Sequence, residues 1–321
     1  MVRSMLLEEE RYVPTSSRAE LILYYSTKRS MEEMIGKQLS KVLLYKICSV
    51  YNLSENELLT NYDLLEKSLY KILDKGANGI LRKTRFEILR HAVLAVPGLT
   101  EEDIQDLAIS IPDILNLIRK EEILRFVHEI PQHEHIAIFY KNENLKNEML
   151  SAFFDTSATI NGNSSTTPKG VLSSRPQTTN NNTNNYYLNA VSNNNNSSND
   201  NTSIILYGEF LRTSKQESLN RSLHDWIQRL YTLNSNKSQG QQTATIRIAN
   251  EDAIWWLRNY SPDQYLEFQK SLGRHIQNNM SAMCAYDISK IDNEYLRTII
   301  SSHNYIIFDQ PFVIYKNMSD G

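Results

Sequence analysis

The chain has 321 residues, a formal net charge of −3, two cysteines and 40% hydrophobic residues. That length suits two domains, the near-neutral charge gives no global pull toward nucleic acid or an anionic bilayer, and no run approaches the ~18 apolar residues of a spanning helix. Cys48 and Cys284 are far apart in apolar surroundings, which excludes a disulfide framework and points to a reduced, cytoplasmic setting. Glu8, Glu9 and Glu10 stand where a signal peptide would need an apolar core.

Residues 1–29 carry little pattern beyond an apolar patch at 21–25 and are expected to be weakly structured. Ser30, with Glu33 three residues on, reads as a capping box that opens a helix to about Tyr51. Its apolar positions Met34, Ile35, Leu39, Val42, Leu43, Ile47 and Val50 recur at helical spacing. Ser54 and Glu57 repeat the capping signature for a short helix. A helix over 62–73 stops before Gly76, and one over 80–96 is broken by Pro97-Gly98. Two more are expected over 100–110 and 112–129, so residues 30–130 read as a separate all-α domain. Within it Lys71, Lys75, Arg82, Lys83, Arg85 and Arg90 form a basic cluster. Arg82, Lys83, Arg85 and Arg90 are the candidates for nucleic-acid or partner contact. The other reading is a solvated face balanced by Asp63, Glu66, Asp74 and Glu87, and no helix-turn-helix spacing favours DNA.

Residues 131–321 read as an α/β domain. His133 to Tyr140 carries a continuous apolar run, as in a strand covered on both faces, and a helix follows over 145–154. Residues 156–202 turn abruptly to Asn, Ser and Thr. That composition offers too little apolar surface to offset the entropy of ordering, and the segment reads as a disordered insert. Strands are then expected over 203–209, 243–249, 282–286, 305–308 and 312–315. Helices are expected over 219–233, 252–259, 262–279 and 292–301, with Tyr265, Phe268, Leu272 and Ile276 on one stripe of the third. Such alternation implies right-handed crossovers and a mainly parallel sheet with helices on both faces.

Ligands of open α/β sheets sit outside the carboxyl ends of the strands. Those ends supply Tyr140, Glu209, Asn250 with Glu251, and Tyr286 with Asp287, and Trp255 or Trp256 could wall an apolar pocket. The same residues would equally serve as loop caps and core, and both readings stay open. His133 and His135 would point the same way on an extended strand, but no third ligand stands out and no metal is expected. His135 fixes the strand start or touches a ligand. Cys284, mid-strand, is an inert thiol or a redox sensor. After Tyr140 the chain reads Lys-Asn-Glu-Asn, without the glycines of a phosphate-binding loop. Nucleophile-elbow, His-Glu-x-x-His and paired-cysteine motifs are also absent, so neither catalysis nor a cofactor is expected.

Two resemblances add to this. Gly36-Lys-Gln-Leu-Ser-Lys-Val-Leu-Leu-Tyr-Lys-Ile-Cys-Ser-Val-Tyr-Asn-Leu, then Tyr62-Asp-Leu-Leu-Glu-Lys-Ser-Leu-Tyr and Gly76-Ala-Asn-Gly-Ile-Leu, resemble the small helical output domain named after Nitrosopumilus, found in archaeal signalling proteins. His135-Ile, Phe139-Tyr140, the strand ending in Glu209, Trp255-Trp256-Leu-Arg258, and Cys284-Ala-Tyr286-Asp287 followed by His303 resemble the MEDS domain, the sensory domain of methanogens, methylotrophs and the DcmR regulator. That resemblance implies a RecA-like sheet and a sensor of small hydrocarbon-derived ligands. The ligand site implied comprises His135, Tyr140, Glu209, Glu251, Trp255, Tyr286 and Asp287. The expected function is an intracellular signal-transduction protein that relays ligand binding to the helical module through the 112–129 helix. The alternative is a ligand-responsive DNA-binding regulator. Expected partners are a small molecule and a downstream signalling protein, not a membrane; DNA and self-association stay open.

Overall fold

The computed structural model describes residues 12–14, 17–100, 110–131, 133–154, 169–173, 202–206, 225, 227, 228, 246–250, 253–259, 261–276, 280–310 and 312–317. The chain divides into two compact units, Ser16–Glu122 and the combination of Met1–Thr15 with Ile123–Gly321. No helix among the described residues is long and apolar enough to cross a membrane.

The first unit is all-α. Helix α1 (Arg18–Ile35) starts well before Ser30, so the capping box expected there is not used. Ser30 is buried inside the helix and its hydroxyl donates to the Ser26 carbonyl at 2.6 Å. Small polar Ser26, Thr27 and Ser30 share the buried stripe with Ile22, Leu23 and Met31, which masked its period. The helix expected over 30–51 is two helices, because Gly36 takes φ +81°, a backbone that glycine adopts without strain, and separates α1 from α2 (Lys37–Tyr51). The Ser54 box is real. Ser54 Oγ accepts the Glu57 N–H at 3.2 Å, Glu57 Oε2 accepts the Ser54 N–H at 2.8 Å, and together they open α3 (Glu55–Leu59). There follow α4 (Tyr62–Leu73), a 3-10 turn, α5 (Ala77–Ala95) and α6 (Ile111–His128). A Cβ on Gly79 would meet Met34 Cε at 3.0 Å, so α5 lies close against α1 there. The helix expected over 100–110 falls mostly outside the described residues.

The second unit is α/β. Its strands are β1 (Tyr12–Pro14), β2 (His135–Tyr140), β3 (Lys169–Ser173), β4 (Thr202–Leu206), β5 (Ile246–Asn250), β6 (Met280–Asp287), β7 (Tyr305–Asp309) and β8 (Phe312–Asn317). They form one sheet in the order β1-β8-β7-β2-β6-β5-β3-β4. It is parallel from β7 to β4 and antiparallel at the β8 and β1 edge. Two expectations change. Residues 12–14, in the segment read as weakly structured, form an edge strand on β8. Lys169–Ser173, inside the insert read as disordered, is a parallel strand between β4 and β5. Composition speaks to average burial, whereas strand addition needs only backbone N–H and C=O groups, which any sequence supplies. Residues 156–168 and 174–201 lie outside the described residues, as does most of the helix expected over 219–233.

Side-chain alternation along β2 splits the core. Ile136, Ile138 and Tyr140 pack with α7 (Glu143–Phe154) and the end of α6. Ala137 and Phe139 face α8 (Ala253–Asn259), α9 (Pro262–Ile276) and α10 (Asn293–Ser301). On the α7 face, buried Arg247 donates from Nη1 to the Phe153 carbonyl at 2.6 Å and from Nη2 to the His128 carbonyl at 3.1 Å. Its guanidinium lies 5.3 Å from the Phe153 ring. One cation thus closes the carboxyl ends of α6 and α7, where carbonyls lack helical partners. Arg247→Met, which keeps the stem but strands both carbonyls, should destabilise this unit by about 2–3 kcal/mol in urea unfolding; an unchanged midpoint would assign the tie no weight.

Candidate functional site

On the α9 and α10 face the sheet carries a buried polar group instead of a continuous apolar layer. His135 opens β2, Cys284 sits mid-β6 beside Ala137, and His303 comes just before β7. All three are buried, and one ligand-capable atom from each lies within 4.8 Å of the other two. Cys284 Sγ is 3.6 Å from His135 Nε2, and the imidazoles lie 4.0 Å apart between centroids, tilted by 37°. A carbonyl only accepts, so the 2.5 Å contact from His303 Nδ1 to the Ile299 carbonyl places the proton on Nδ1 and the lone pair on Nε2. The Ser302 backbone also lies beside the His135 ring. The carboxyl end of α10 thus meets both rings.

Around the thiol, Gln269 of α9 donates from Nε2 to the Tyr265 hydroxyl and lies 3.9 Å from Cys284 Sγ; the Tyr265 and Tyr286 hydroxyls hydrogen-bond each other. The Asn250 amide borders the thiol. Neither of its buried atoms makes a well-formed hydrogen bond among the described residues, nor does Gln269 Oε1. Unmet amide atoms on side chains each 1% exposed cost free energy unless something meets them.

Burial sets the protonation states. It holds His303 down to about 4, and drives His135 well below the usual imidazole value, with the His303 charge adding to the effect. It pushes the Cys284 thiol up to about 12 and both tyrosine hydroxyls well above their usual value. Every group is therefore neutral at pH 7, so the Cys284–His135 contact is not the thiolate–imidazolium pair of a cysteine nucleophile.

Of the carboxyl-end rim read from sequence, the described residues Tyr140, Tyr286 and Asp287 do not share one face. Tyr286 and Tyr140 project to opposite faces, since Phe139, not Tyr140, registers with Tyr286; Tyr140 packs on the α7 side with Lys146 Nζ 5.2 Å from its ring. Asp287 caps the turn at Ser289 and pairs with Lys290. Glu209, Glu251 and the Trp255 side chain lie outside the described residues. His133 does not accompany His135, because it lies before the strand at φ +71° and donates from Nδ1 to the Ile276 carbonyl. Gln269 and His303 were not read as site residues, whereas Asn250 was, as a strand-end residue of the rim. Gln269 had a signal, being the polar position on the α9 stripe of Tyr265, Phe268, Leu272 and Ile276. Of the basic candidates, Lys83 is bound within its own unit to Glu33 at 3.0 Å and to buried Glu87 at 3.6 Å, while Arg82 and Arg90 are exposed. Arg82 and Arg85 line a groove of about 570 Å³ with Asp63 and Glu66.

The turn after β2, where a phosphate-binding loop would offer N–H groups to an anion, is occupied by protein. Buried Asp309 Oδ2 accepts the Lys141 and Asn142 N–H groups, each at 2.8 Å, and Asn142 Oδ1 caps α7. Asp309→Ala should cost about 1–3 kcal/mol in unfolding free energy, with Asp309→Asn retaining part of it.

Compared with protein-family models and with curated proteins, the chain matches none.

Proposed function

We propose that the chain is a signal-transduction protein whose α/β unit binds a small ligand without transforming it and whose helical unit passes on the state of that site. The observation that carries this reading is the Asn250 side chain and the Gln269 Oε1 atom, buried beside the His135–Cys284–His303 group without a well-formed hydrogen bond among the described residues. The unit is read as MEDS-like with a RecA-like sheet. The central position of β2, flanked by the two last parallel strands β6 and β7, supports that reading. A non-catalytic role is supported by the neutral Cys284 thiol and by Asp309, which takes the N–H groups a phosphate would need. The free thiols of Cys48 and Cys284 support a reducing cytoplasm. Helix α6, whose residues divide at Glu122 and Ile123 between the two units, is one of two covalent paths for a relay, the other being the crossing at Thr15 and Ser16.

The test is a thermal-shift screen of the full chain against small alcohols, amines, short hydrocarbon derivatives, nucleotides and metal ions. A ligand at a hundred times its Kd should add about 2.7 kcal/mol of stability, and Gln269→Leu should reduce the shift of a ligand seated at the cluster. Turnover of any stabilising compound would replace this reading with an enzyme. The alternative of a DNA-binding regulator is less well supported, because Asp63 and Glu66 share the groove with Arg82 and Arg85 and would repel phosphate. Strongly salt-dependent DNA binding, weakened by neutralising Arg82 and Arg85, would favour it.

A further inference from the structure

We infer that His135, Cys284 and His303 form a binding site for one thiophilic metal ion of the Zn²⁺ or Cu⁺ class, so that the ligand taken by the α/β unit is, or is held by, a metal. This rests on the ligand-binding reading of the same cluster. Two imidazoles and one thiol are the donor set that borderline and soft late transition metals take, and hard cations such as Mg²⁺ or Ca²⁺ prefer oxygen. The donor atoms lie within 4.8 Å of one another, a spread that ligand atoms around a single ion share. The surroundings are those of a built site. The His303 Nδ1–H is held by the Ile299 carbonyl, the outer hydrogen bond that turns an imidazole lone pair toward a metal, and the Ser302 backbone lies beside the His135 ring.

Two observations separate this from a merely polar core. The Sγ to Nε2 distance of 3.6 Å is a weak thiol hydrogen bond, a small return for burying three polar groups completely. The Asn250 and Gln269 side chains border the thiol, and neither polar atom of Asn250 nor Gln269 Oε1 has a hydrogen bond of good geometry among the described residues. On binding, the Cys284 thiol loses its proton to solvent and sulfur donates to the ion as thiolate; no oxidation takes place.

The experiment uses the full chain, first for metal content as purified and then for titration with Co²⁺ as a spectroscopic stand-in for Zn²⁺, with Cu⁺ and Mg²⁺ as separate arms. The expected result is one equivalent of Co²⁺ bound with a thiolate-to-cobalt charge-transfer band, displaced by Zn²⁺ or Cu⁺ and not by Mg²⁺. Cys284→Ser and His303→Gln should abolish the band and Cys48→Ser should leave it intact. Gln269→Leu should weaken affinity about 10–100-fold, as loss of an outer-sphere partner does. A cooperatively folded wild-type chain showing no band, or a band surviving in Cys284→Ser, overturns the site. Stabilisation by organic ligands with no metal response also overturns it while sparing the sensor reading; silence in every arm removes both.

Discussion

Phe139→Ala should be among the most damaging single substitutions in the α/β unit, lowering its unfolding free energy by about 3–5 kcal/mol. Phe139 is fully buried in the central strand β2, its ring stacked 5.1 Å from Phe308 and 5.5 Å from Tyr286. Truncation removes the middle of three rings and opens a cavity that neither neighbour can fill, because each is anchored on its own strand. Phe139→Leu keeps most of the volume and should lose no more than about 1.5 kcal/mol. Urea unfolding followed on the sheet unit's transition checks both, since two compact units can unfold in separate steps. A loss below about 1 kcal/mol for the alanine variant would mean that this face is not close-packed.

Acid should weaken the same unit through its histidines. His303 is neutral in the fold, held at about 4, and would titrate near 6.5 in the unfolded chain. The unfolded state therefore binds more protons than the folded state between those values. The associated stability is complete above pH 6.5 and is lost as pH falls toward 4. Burial of His303 alone makes that loss ~3 kcal/mol, and His135 acts in the same direction. The groups facing the two rings are Cys284 and Tyr286, which stay protonated throughout this range. Melting temperatures between pH 7.5 and 4 should fall more steeply for the wild type than for His303→Gln; identical slopes would refute the assignment.

How far this could be read beforehand differs by element. The continuous apolar run of β2 announced a strand covered on both faces, and α9 and α10 sit over one of them as their stripes require. The strand at residues 12–14 left no trace in composition, because an edge strand is held by backbone pairing. The start of α1 was hidden by Ser26, Thr27 and Ser30 on its buried face, where these small side chains pass as core and the Ser30 hydroxyl bonds back to the Ser26 carbonyl. For the site, the rule of carboxyl-end ligand crevices pointed to Tyr140, Tyr286 and Asp287. The buried polar group instead includes the first residue of β2 and a residue just before β7.

Sequence alone determined the alternation of strands and helices in the second half and the all-helical character of the first, because both follow from the local period of apolar residues, 2.0 along strands and 3.6 around helices. It also determined that the turn after Tyr140 lacks the glycines of a phosphate loop. Tertiary structure decided which residues meet. Parallel pairing sets β6 and β7 on either side of β2, and the pleat turns Cys284 to the same face as Ala137 and Phe139. The crossover through α10 returns His303 to the start of β2, and α9 lays Gln269 over the thiol. These residues are far apart along the chain and come together through strand register, which depends on the packing of the whole sheet rather than on any one segment.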